Sequence, residues 1–254
     1  MNHLDRPLNE TIVDVRNAQA LSSVVVVCEH ASAYIPGEFE NLGLADEMLY
    51  SHVAWDPGAM ALAEGMAERL DAILIAAKTS RLVYDCNRPP HAPDAMPARS
   101  EIVDVPGNIS LSAAQKAERV KKYYEPFYST VAETMAGIAD PILVTVHSFT
   151  PIFHGNVRDV EIGILHDSDS RLADALLSTS SANTPRTVRR NEPYGPTDGV
   201  THTLKEHALP SGHLNVMLEV RNDLIATEVA QASMAKMISK WLECALATTV
   251  AKRC

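Results

Sequence analysis

Aromatic side chains make up only 5% of this 254-residue chain, so its interior has to be filled by Val, Ile, Leu, Ala and Met. Cysteine is sparser still. The four present, Cys28, Cys86, Cys244 and Cys254, show neither CxxC spacing nor the density of a disulfide scaffold, which points to free thiols and a reducing cytoplasm. Basic residues are outnumbered, 22 against 32 acidic, and the net charge of -10 argues against nucleic acid or an anionic membrane surface as partner. An anionic substrate would therefore need a local arginine pocket. No run approaches the ~20 apolar residues of a membrane span, and Met1 to Ala20, with Asp5, Glu10 and Asp14, lacks the basic flank and apolar stretch of a signal peptide. Also missing are a GxSxG elbow, a GxGxxG turn after the first strand, a Walker loop, an HExxH helix, internal repeats and low-complexity tracts.

What remains reads as a single α/β domain over 1–254, with residues 1–20 an irregular lead-in and strands alternating with helices in a three-layer sandwich around a mixed sheet. Strands are expected at 23–28, 72–76, 81–85, 142–146, 160–165 and 214–220, with an edge strand at 187–190. Helices are expected in 45–71, broken at Trp55-Asp56-Pro57-Gly58, then from Ser112 to about 136 with a break near Pro126, from the caps at 167–169 to 177, over 201–207, and from 224 to about 247. Ser112 with Gln115 has capping-box spacing. The proline-rich stretch 87–108 predicts a long loop over a site.

Two of these strands end in a histidine. Val24-Val25-Val26-Val27-Cys28-Glu29-His30 and Ile142-Leu143-Val144-Thr145-Val146-His147 place imidazoles where α/β sheets build their sites. With Asp56 they form a candidate ligand set, His30, Asp56 and His147, of the kind catalytic zinc uses when it keeps one position open. Glu29 competes for the carboxylate place, and Asp56 could equally be a helix cap. Glu219 lies in the apolar strand Leu214 to Val220, where an unpaired charge is costly; it is the candidate general base, with an ion pair to Arg221 or another arginine as the alternative. Arg81 and Arg88 offer planar, bidentate recognition of a carboxylate, although one of them could simply pair with Asp85. Asn87 and His202 complete the substrate-binding candidates; for His202, as for His207, a core or surface place is the alternative. Cys28 reads more simply as a small core residue than as a nucleophile.

Cys28-Glu29-His30-Ala31-Ser32 with Ile35-Pro36, Trp55-Asp56-Pro57-Gly58-Ala59, Ser80-Arg81-Leu82-Val83 with Asn87-Arg88-Pro89, and His147-Ser148-Phe149-Thr150-Pro151 together resemble the N-formylglutamate amidohydrolase family. Glu161-Ile162-Gly163, Asn191-Glu192-Pro193-Tyr194 and Leu218-Glu219 extend the match across roughly 22–224. Glu29-His30 and Trp55-Asp56-Pro57-Gly58 replace the Pro-His and Asp-Thr-Asp-Trp-like segments of better-known members, so the chain looks like a divergent branch. The resemblance implies a zinc carboxypeptidase-like (phosphorylase/hydrolase-like) fold and one zinc per chain on His30, Asp56 and His147. It also implies Glu219 as base, Arg81 and Arg88 near the substrate's carboxylate or carbonyl, and cleavage of a formyl or other acyl group from an amino acid. His and carboxylate ligands would accept Mn, Fe, Co or Ni as well. A peptidase acting on small peptides, or a silent binding protein of the same fold, are the alternatives.

Overall fold

The computed structural model describes residues 11–251. In chain order its elements are β1 (Val13–Arg16), β2 (Val24–Cys28), α1 (Asp46–Leu49), α2 (Ala59–Leu70), β3 (Ile73–Ala77) and the hairpin of β4 (Arg99–Ser100) and β5 (Val103–Asp104). Then follow α3 (Ala113–Arg119), α4 (Glu125–Ala136), β6 (Ile142–Phe149), and the hairpin of β7 (Ile152–Phe153) and β8 (Asn156–Val157). The chain continues with β9 (Ile162–Leu165), α5 (Arg171–Asn183), β10 (Val188–Arg190), α6 (His202–His207), β11 (Asn215–Arg221) and α7 (Glu228–Ala251).

Seven strands form one sheet in the order β1-β3-β2-β6-β11-β9-β10. β3, β2, β6 and β11 run parallel, while β1 and β9 are antiparallel to their inner neighbours. The sheet is mixed, as expected. Because side chains alternate across a strand, the sheet has two apolar faces. Val24, Val26, Val144, Val146, Val216 and Leu218 pack against α2, α5 and α7. Val25, Val27, Leu143 and Met217 pack against Tyr123, Tyr124, Phe127 and Val131 of the α3–α4 layer and Leu204 of α6. Continuous Val-rich runs are what strands buried on both faces require.

From β2 the chain passes through α2 to β3 on one side, while β6 lies on the other side of β2. The crevice beyond the carboxyl ends of β2 and β6 is therefore a topological switch point, the usual place for a site in an open α/β sheet.

Three expectations need correction. The lead-in is not irregular throughout, because Val13 to Arg16 pair antiparallel with β3; residues 1–10 lie outside the described residues. The stretch 81–85 is not a strand. Ser80 closes a turn there: its carbonyl accepts from Val83 N at 2.9 Å, and its Oγ accepts from Leu82 N at 3.2 Å. A strand would hold the Cα atoms of Arg81 and Asp85 ~13 Å apart, whereas the turn joins their side chains. Finally, Pro126 does not break the helix over 113–136; it sits in the first turn of α4, and a π turn at 120–124 joins α3 to α4. The Ser112–Gln115 capping box is present, and the 87–108 loop contains only a short hairpin.

Candidate metal centre and cleft

β2 stops at Cys28, so Glu29 and His30 lie in a turn and their side chains are free of strand alternation. His147 is inside β6, with Glu219 of β11 in register beside it on the same face. Asp56 precedes α2 but does not cap it through its side chain. Its backbone N–H donates to the His30 carbonyl at 3.0 Å, which draws the 55–58 turn onto the end of β2.

The outcome is a compact buried triad. Asp56 Oδ2 lies 2.9 Å from His147 Nδ1 and 3.2 Å from His30 Nδ1, and the two Nδ1 atoms are 3.1 Å apart. Ligands bonded at 2.0–2.1 Å to one tetrahedral ion are separated by roughly 3.3 Å, so these atoms stand almost where a zinc-sized ion would hold them. The remote nitrogens are also accounted for. His30 Nε2 lies 2.7 Å from Asp85 Oδ1, and His147 Nε2 lies 3.1 Å from Glu29 Oε2, a pairing that is close but not aligned as a hydrogen bond. A carboxylate behind each imidazole is the arrangement that orients metal-binding histidines. Among the described residues, this His30, Asp56 and His147 group is the one able to hold a metal ion, and its donor set fits a divalent cation.

The charges reinforce one another. Burial would raise the Asp56 carboxyl, but the two imidazoles hold it well below the usual range. Burial likewise opposes ionisation of Asp85, which His30 and Arg81 overcome. His147 is raised despite its burial, by Glu29 and Asp56. Glu219 differs: burial pushes it up to about 7, with His147 opposing and Asp56 adding to the rise. Its Oε2 has no hydrogen-bond partner, and Arg221 pairs with Asp223 instead.

This centre opens into a cleft of about 940 Å³ lined by Arg81, Arg88, Asn87 and Glu219 among others. Arg81 donates to Asp56 Oδ1 and to Asp85 Oδ2, both at 3.3 Å, so it is the arginine that pairs with Asp85. Arg88 is held by Asp94 at 2.6 Å and by the carbonyls of Asn87 and Gly199. Asn87 has its amide occupied, donating to Val200 O and accepting from Thr203, and so ties the 199–203 segment to the cleft wall. His202 does not line the cleft; its Nε2 lies 2.9 Å from Tyr124 Oη. Sequence reasoning missed the place of Asp85 behind His30 and passed over Arg158, which also lines the cleft. The i,i+4 spacing of Arg81 and Asp85 was a usable signal for the first.

Among the described residues, no helix is long and apolar enough to cross a membrane, and Cys28, Cys86 and Cys244 are free; Cys254 lies outside them. Comparison with curated proteins gives no match. A solved structure, gene product Atu2144 from Agrobacterium tumefaciens, is 52% identical with a TM-score of 0.91, over 94% of this chain and 96% of that one. An N-formylglutamate amidohydrolase from Ralstonia eutropha JMP134 is 18% identical with a TM-score of 0.62, over 91% and 95% of the two chains, and so shares the fold. The sequence model of N-formylglutamate amidohydrolase matches residues 22–226, a span that contains the triad, Asp85, Arg158 and Glu219. The chain belongs to the N-formylglutamate amidohydrolase family.

Proposed function

We propose that this protein hydrolyses the amide bond of an N-formyl or N-acyl amino acid, N-formylglutamate or a close analogue, using zinc on His30, Asp56 and His147 and Glu219 as general base. The observation that carries the reading is a buried two-imidazole, one-carboxylate donor set with the buried Glu219 carboxyl in register beside His147 one strand away, its Oε2 without a hydrogen-bond partner. When bound, the divalent cation supplies Lewis-acid polarisation of the scissile carbonyl and acidifies water for attack.

The chain's own groups do the rest. Glu219, pushed up to about 7, is suited to accept a proton from the attacking water near neutral pH and return it to the departing amine nitrogen. Arg81 is anchored by two carboxylates yet lines the cleft, so its remaining N–H groups can stabilise negative charge on the carbonyl oxygen. Arg88, which lines the cleft and is held by Asp94 and two carbonyls, would bind a substrate carboxylate. The proposed compartment is a reducing cytoplasm, which suits the free cysteines.

The test is elemental analysis of protein purified without added metal, wild type beside His147→Ala, together with formate release from N-formyl-L-glutamate. About one zinc per chain, lost in His147→Ala, is expected. Glu219→Gln should keep its metal while kcat falls by about 10²–10⁴. A protein that takes up no metal, or a fully active Glu219→Gln, would overturn the reading.

A further inference from the structure

Five arginines line the cleft, and their partners divide them. Arg81 is paired with Asp56 and Asp85, Arg88 with Asp94, and Arg99 with Asp104. Among the described residues, Arg158 and Arg189 have no carboxylate within ion-pair distance. Arg158 is nevertheless firmly placed. Its guanidinium carbon lies 4.4 Å from the ring centre of Phe153, 4.9 Å from that of Tyr194 and 5.5 Å from that of Phe149. Nη1 donates to the Thr150 carbonyl at 3.3 Å and Nη2 to Tyr194 Oη at 3.0 Å. Those bonds use two of the five N–H donors an arginine carries. Arg221 in turn donates to the Arg158 carbonyl at 3.1 Å, which secures the backbone.

A permanently charged guanidinium, pre-oriented by three rings and with no carboxylate partner among the described residues, suits a substrate carboxylate. Its position gives the scale. Phe149, over which Arg158 sits, is two residues beyond His147 on β6 and on the same face, ~6.6 Å along the strand. Tyr194, which orients the guanidinium, also feels the charges of Glu219 and Arg81. Five bonds separate the acyl carbon of an N-acylglutamate from its side-chain carboxyl carbon, about 6 Å when extended. An extended N-acylglutamate is thus about as long as the strand interval from His147 to Phe149.

We infer that Arg158, positioned by Tyr194, is the specificity determinant that binds a second carboxylate of the substrate, the one ending an acidic side chain. This rests on the amidohydrolase reading, and its test separates the two.

The kcat/KM values for N-formyl-L-glutamate and its isostere N-formyl-L-glutamine are measured on wild type, Arg158→Gln, Arg158→Lys and Tyr194→Phe. Each protein is also titrated calorimetrically with glutarate. Wild type should prefer the acid. Arg158→Gln should raise KM for the acid by roughly 10–100-fold, as loss of a charge-assisted pair does, and affect the amide less, so that the preference collapses. Arg158→Lys keeps a charge but loses the planar fork and its stacking, and should recover only part of it; Tyr194→Phe keeps the ring and should weaken acid binding only in part. Glutarate affinity should follow the same order. Glutarate binding unchanged by Arg158→Gln, or a uniform loss on both substrates, makes the arginine structural and overturns the inference even if hydrolysis stands. Arg158-dependent glutarate binding without hydrolysis of either substrate keeps the subsite and removes the amidohydrolase reading. Absence of both overturns both.

Discussion

At the scale of single residues, the centre depends on what each imidazole does with its second nitrogen. His30 and His147 both present Nδ1 inward, and Asp85 and Glu29 stand behind their Nε2 atoms. Without those carboxylates the rings would be free to turn and would be weaker donors. Asp85 carries more of this than any other side chain, because it also accepts from Arg81 and from Asn87 N at 2.9 Å. Asp85→Asn keeps the shape and removes the charge, so zinc affinity should fall about 10–100-fold while the triad residues remain in place. Competition against a chromophoric chelator measures this, and an unaltered affinity would mean that His30 needs no such partner. That His30, Asp56, His147 and Glu219 would come together was legible in the sequence, because a histidine after a Val-rich run and a glutamate inside an apolar strand are each costly unless used. Glu29 and Asp85 were not legible in their roles. Those roles depend on where β2 stops and where the chain turns after Ser80, neither of which residue type alone specifies.

At the scale of elements, periodicity located the long buried strands and failed where a few residues serve a turn. The 81–85 segment has the apolar pair Leu82 and Val83, which suggests a strand, yet Ser80 supplies two acceptors that curl it. The opposite error at β1 came from reading polarity as irregularity; Val13-Asp14-Val15-Arg16 alternates apolar and polar residue types, while burial fades along the strand from buried Val13 to exposed Val15 and Arg16. Glycine at 163 marks a third such point. A Cβ there would collide with the Glu192 carbonyl and lie 3.1 Å from the Glu219 Cβ, so β9 needs glycine for the 191–194 turn to pass beside Glu219. Gly163→Ala should therefore cost about 1–3 kcal/mol by overpacking and lower kcat by shifting Glu219 and Tyr194. Thermal unfolding and steady-state kinetics on the same preparation test it. Full stability and full activity would show that the turn yields without effect.

At the scale of the whole molecule, a chain with net charge -10 gathers Glu29, Asp56, Asp85 and Glu219 around one point beneath an aliphatic sheet, with Arg81 as the arginine bonded to two of them. Such a concentration of buried acid is tolerable when a divalent cation lies among it, so chelation should destabilise the protein and zinc should restore it by linkage. The pH dependence of that loss has a definite sign. Burial raises the Glu219 carboxyl from its ordinary value of 4.5 to about 7 in the metal-free fold. The stability linked to its proton is fully present below the ordinary value and is lost as pH rises through the folded one. Asp56 and Asp85, held below their ordinary values, act in the opposite sense and only in more acidic solution. Chelated wild type should thus lose more Tm than chelated Glu219→Gln between about pH 5 and about pH 8, because the glutamine has no proton to give up. Zinc should narrow the gap by supplying the positive charge that the ionised carboxylate lacks. Scanning calorimetry of both proteins, chelated and zinc-loaded, decides it. If the two chelated proteins show the same Tm at every pH, Glu219 ionises without penalty, and the protein environment alone does not hold it in the range that proton transfer at neutral pH requires.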